Sequence, residues 1–198
     1  STAYAKVDDI ITLLIVASED IATPTVDIAG ATATVALTTA NQAKNYTATL
    51  TVAANTTEGV AAISITATDL AGNDIAVAHT AVTNSVTVDR TAPTYASSLV
   101  ANDADTIVEL TFDTDDITTG SVTTGDFTVT VAGEAATISS GAIGDNKVKL
   151  TLSAAVVYDQ VVTVAYTNSG SSFGDAAANL ANNFAAQTVT NNVLDEVV

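Results

Sequence analysis

Apolar and polar residues alternate with a period of two along most of this chain. Tyr46, Ala48, Leu50 and Val52 fall on one side of such a run, and Asn45, Thr47, Thr49 and Thr51 fall on the other. Val148, Leu150 and Leu152 repeat the pattern a hundred residues later. This period predicts strands with one buried face. Clusters of Gly, Asn, Asp and Ser interrupt the runs at the spacing of sandwich strands. There is no helix-length amphipathic pattern; the nearest is a short turn in DAAANLANN at 175–183.

The runs recur in order. TLLIVASEDI (12–21) matches VELTFDTDDI (108–117), and TVDIAGATATV (25–35) matches FTVTVAGEAATI (127–138). NYTATLTVAA (45–54) matches NKVKLTLSAA (146–155), and AAISITATDLAGN (61–73) answers to VTVAYTNSG and, after a longer loop, GDAAANLANN (174–183). SVTVDRTAP (85–93) answers to QTVTNNV (187–193). These are two copies of one unit. About seven short strands per hundred residues is the density of an immunoglobulin-like sandwich. The predicted class is therefore all-β: two tandem immunoglobulin-like β-sandwich domains, residues 1–90 and 91–198. The boundary falls at Asp89-Arg90-Thr91-Ala92-Pro93, where Pro93 holds Ala92 extended and makes the joint stiff. Gly141-Ala-Ile-Gly144 is expected to form a hairpin turn.

Composition narrows the picture. Ala, Val and Thr dominate, with no Trp or Met and only two prolines, which suits short strands around thin cores. Net charge is −17, from 22 acids against Lys6, Lys44, Arg90, Lys147 and Lys149. A surface this acidic repels nucleic acid and anionic lipid. Without cysteine there is no disulfide, no thiolate zinc site and no thiol nucleophile. No apolar run reaches the roughly 18 residues that span a bilayer, so membrane insertion is not expected. A chain opening at Ser1 without a signal peptide or Met reads as a processed product or a fragment. Asn45 and Asn55 head sequons that could carry surface glycans.

Two resemblances build on these blocks. Asp69–Asn73 (DLAGN) followed by Val88–Pro93 (VDRTAP), with the opening KVDDIITLLIVASED, makes the first copy resemble the tandem immunoglobulin-like repeats of bacterial and archaeal surface proteins, giant adhesins among them. The LTFD, FTVTVAG, KVKLTL and VTVAY blocks make the second copy resemble the repeat named from a cyanobacterial swimming-motility cell-surface protein. Its usual D-x-x-G-N reads Asp175-Ala-Ala-Ala-Asn179 here, which weakens the case for a second cation site.

The candidate chemistry is a cation site. Calcium takes six to eight hard oxygens at about 2.3–2.6 Å. Asp69 and Asn73 bracket a glycine turn that either bends their oxygens toward an ion or simply closes on itself. Glu19, with Asp20, ends an early strand and could reach the same end of the sandwich, and Asp89 at the joint is the remaining candidate ligand. The resemblance implies calcium at such joints, bridging domains and stiffening a rod. Asp8-Asp9, Asp115-Asp116, and Asp103 with Asp105 read as solvated acids. Catalysis has little to build on: His79 stands apart from any nucleophile motif, and no acid pair has a diagnostic spacing.

The expected protein is non-enzymatic, extracellular and structural: a cell-surface subunit of a filament, sheath or S-layer that pairs with itself through edge strands. The 10–17 run is either the first strand of its own domain or a strand donated to a neighbour, as 188–198 could also be. The alternatives are a spacer of a calcium-dependent adhesin and a virion decoration or tail protein.

Overall fold

In a computed structural model of the chain, residues 3–38, 43–74, 84–112, 117–170 and 172–195 are described. They form two compact units, Ser1–Arg90 and Thr91–Val198. Among the described residues the regular elements are β-strands and a single 3-10 turn at Thr124–Asp126. Each unit is an immunoglobulin-like sandwich.

The first unit contains β1 (Ala3–Ala5), β2 (Ile10–Val16), β3 (Thr25–Ile28), β4 (Ala31–Thr32), β5 (Thr34–Leu37), β6 (Asn45–Thr51), β7 (Gly59–Val60), β8 (Ile63–Thr66) and β9 (Val86–Val88). They pair as β2-β6-β5, β4-β3-β8 and β1-β9-β7, with β1 running parallel to β9. Alternation closes the core: Ile11, Val26, Ile28, Ala48, Leu50, Val52 and Val88 are buried together. A second cluster of Ile21, Tyr46 and Ala67 is tied by the buried Tyr46 hydroxyl, which donates to the Ile21 carbonyl at 2.9 Å.

The second unit contains β10 (Tyr95–Val100), β11 (Ile107–Phe112), β12 (Phe127–Val131), β13 (Glu134–Ala135), β14 (Ile138–Gly144), β15 (Lys147–Leu152), β16 (Val162–Tyr166) and β17 (Phe184–Asn191). Its two halves, β13-β12-β16-β17 and β10-β11-β15-β14, join where β10 meets β17 in parallel. The core is larger and carries aromatics: Phe112, Phe127, Tyr166 and Phe173 pack ring against ring beside Val108, Leu110, Val148 and Leu150.

The internal repeat is visible strand by strand. β3 turns into β4 through Ala29-Gly30 at φ 50° and 78°, and β12 turns into β13 through Ala132-Gly133 at φ 52° and 86°. Both are two-residue hairpins with left-handed central residues, the geometry that matches strand twist. In one detail the expected alignment is off by one residue. Ile11 and Leu13 face Leu50 and Ala48, as Val108 and Leu110 face Leu150 and Val148. Ile11 therefore takes the place of Val108, and Val16 points outward where Phe112 points in. Ile21 and Ile117 are buried in both units, so the extra residue lies between β2 and Ile21.

One further expectation is corrected, and one open alternative is resolved within the chain. Gly141–Gly144 belongs to β14, and the hairpin turn is Asp145-Asn146, at φ 55° and 61°. Gly141 lacks a side chain because a Cβ there would fall 2.3 Å from Val122 Cγ1. Strand Ile10–Val16 pairs along its whole length with β6 of its own unit.

Candidate cation site and the paired acidic turns

The D-L-A-G-N stretch after β8 closes on itself. Asp69 Oδ1 accepts the N–H groups of Ala71 at 2.9 Å and Asn73 at 2.8 Å, and Oδ2 accepts the Asn73 amide at 2.7 Å. The Asp69 N–H in turn donates to the Asn73 carbonyl at 2.9 Å. The Asn73 side chain, then the Asn73 and Ala71 N–H groups, hold the Asp69 carboxyl below its usual range. Gly72 takes the left-handed position at φ 89°.

The second unit builds the same turn from D-A-A-A-N. Asp175 Oδ1 accepts the N–H groups of Ala177 at 2.8 Å and Asn179 at 2.9 Å, and Oδ2 accepts the Asn179 amide at 3.0 Å. Ala178 stands where Gly72 stands and is left-handed at φ 63°. The shared feature is an Asp and an Asn four residues apart, and the glycine is dispensable. That spacing was visible in both copies and marks a turn more directly than a ligand set. Asp175 is fully buried, whereas Asp69 is half-exposed.

The four candidate ligands do not converge. Ile21 bridges Asp69 across the sheet, so Glu19 and Asp20 lie at the same end of the unit as Asp69 and Asn73. Asp89 lies at the other end. Its N–H donates to Ala5 at 2.9 Å, and Val88 pairs with Gly59, which precedes the start of β8. Both Asp69 oxygens already accept hydrogen bonds within the turn. Among the described residues, no three His, Asp or Glu side chains stand close enough to hold a metal. As placed, the four residues do not fit a single calcium shell of six to eight oxygens.

Other acids are engaged locally. Lys6 Nζ pairs with Asp9 at 3.0 Å, and Arg90 reaches Glu58 at 3.9 Å while its backbone N–H donates to the same carboxylate at 2.8 Å. Glu109 lies between Lys147 and Lys149, and Lys149 also meets Asp145 at 2.5 Å. Asp103 is exposed and Asp105 half-buried. Asp126 was not expected from sequence: it is buried, accepts from Ser169 Oγ at 2.5 Å and, among the described residues, leaves Oδ2 without a partner. Burial, with a smaller push from Asp126, raises the nearby Tyr166 phenol. His79, Asp115, Asp116 and residues 196–198 lie outside the described residues.

Residues 88–171 match the family model of the SWM repeat, described as a "putative flagellar system-associated repeat". The match runs from the end of β9, the last strand of the first unit, to the loop after β16 in the second. Among solved structures, the chain is similar to the D00-D0 domain of intimin, at 16% identity and a TM-score of 0.34, with 96% of each chain covered. It is also similar to two titin tandems, I9-I11 at 10% identity and a TM-score of 0.27, and A168-A170 at 9% and 0.29. The chain spans 63% of the length of each titin piece. No curated protein matches it.

Proposed function

We propose that this chain is a non-enzymatic structural protein of the cell surface, working outside the cell as the subunit of a filament, sheath or S-layer. The match of residues 88–171 to a flagellar system-associated repeat carries the reading. The presence of two immunoglobulin-like units in one chain supports it. The net charge of −17 keeps such a surface hydrated and away from nucleic acid. Self-pairing through strand edges is the proposed mode of assembly. Asn55, exposed in the loop after β6, is the sequon open to a glycan, whereas Asn45 is half-buried at the start of β6. The calcium-dependent spacer reading is the weaker one here, because the Asp69 carboxylate is spent on its own turn.

Surface location is tested by immunogold labelling of intact source cells with an antibody to the purified chain. Gold along external layers or appendages is the expected result. Label only after permeabilisation would overturn the reading.

A further inference from the structure

A strand edge presents backbone donors and acceptors that proteins cover, guard or use. The two units treat equivalent edges differently. In the second, the Leu152 N–H donates to the Thr106 carbonyl on the β15 side, at 2.7 Å. By alternation, Ile107, Glu109 and Thr111 turn their backbone groups the other way. Strand β10 takes them up antiparallel, with Leu99 opposite Glu109 and Ser97 opposite Thr111.

In the first unit, Asp9 and Ala17 bond on the β6 side, to Val52 and Lys44, each at 2.8 Å. Ile10, Thr12, Leu14 and Val16 therefore turn their N–H and C=O groups away from β6. Among the described residues no strand pairs with that edge. Nor is the edge guarded: β2 is seven residues long, pairs with β6 without a bulge, and has no charge or proline. The same residues carry its outward side chains, with Ile10 65%, Leu14 62% and Val16 70% exposed. A long, regular, apolar edge of this kind is an association site.

We propose that β2 pairs antiparallel with β2 of a second copy of this chain, about a two-fold axis at Leu13. This register sets Ile10 opposite Val16 and Thr12 opposite Leu14, so all four open residues of each copy find hydrogen-bonding partners. It also puts Ile10, Leu14 and Val16 of both copies on one side, joining them into a single apolar stripe. Other antiparallel registers leave part of the edge bare. The contact is isologous and closes as a dimer, joining the two β2-β6-β5 sheets into one; growth of such dimers into a filament or sheet requires a second contact elsewhere on the chain. At each end, Asp8 and Asp9 of one copy approach Glu19 and Asp20 of the other, with Lys6 and Lys44, whose Nζ donates to the Ser18 carbonyl at 3.2 Å, to offset four acids. The pairing therefore strengthens as salt shortens the screening length from about 10 Å at 0.1 M to about 3 Å at 1 M.

The proposal rests on the reading of the chain as a self-associating surface protein, but its test is separate from cell labelling. Sedimentation equilibrium of the full chain should give a dimer whose dissociation constant falls about tenfold between 0.1 and 1 M salt. Leu14→Glu and Thr12→Pro, both on the open edge, should give monomer, and Leu14→Glu should leave the melting curve unchanged at concentrations where the wild type is itself monomeric. Amide exchange at Thr12 and Leu14 should slow as protein concentration rises. A chain that stays monomeric at both salts overturns the proposal. So does a dimer that survives Leu14→Glu. A monomeric chain that instead binds a synthetic peptide of residues 93–100 would make the edge an acceptor for a β10-like strand, and would equally overturn it.

Discussion

Asp69 and Asp175 each accept two backbone N–H groups on one oxygen and an Asn amide on the other. The residue that differs is the left-handed one, Gly72 in the first turn and Ala178 in the second. An L-residue held left-handed costs about 1 kcal/mol that glycine avoids. Space is not the issue at Gly72, since nothing stands within 4 Å of where its Cβ would be. Gly72→Ala should therefore destabilise the first unit by about 1 kcal/mol, while Ala178→Gly should leave the second no less stable. Chemical denaturation of the two variants beside the wild type checks this. Equal losses in both would mean that the turns are not equivalent.

At the scale of the element, much was legible because sandwich strands advertise themselves through alternation. The runs at 45–52 and 147–152 became β6 and β15, and the Ala-Gly pairs at 29–30 and 132–133 became matching hairpins. Register was harder to read. IITLLIV is apolar at nearly every position, so nothing in it says which side faces the core. Only pairing with β6 shows that Ile11 and Leu13 point in and Leu14 points out. The candidate ligands failed to converge for a related reason: sequence places acids in loops without saying at which end of a sandwich each loop lies. Glu19 lies at the Asp69 end of the unit through the Ile21 bridge, whereas Asp89 leaves from the far end. The hairpins offer a test at this scale. Ala132 is exposed and left-handed, at the first turn position where asparagine is favoured. Ala132→Asn should stabilise the second unit by about 0.5 kcal/mol in thermal unfolding. A loss of stability would show that the turn is not of the assumed type.

On the scale of the whole molecule, two features pull in opposite directions. A net charge of −17 pushes copies apart, while the bare apolar edge of β2 offers them a place to meet. Four of the five cations sit in ion pairs with acids of their own unit, so neutralisation between copies falls largely to dissolved ions. Assembly should accordingly depend on concentration and on ionic strength. Negative-stain electron microscopy of the purified chain, over rising protein concentration at low and high salt, tests the structural role most directly. Ordered filaments or sheets, more abundant at high salt, are the expected result. Isolated two-unit particles under every condition would contradict it.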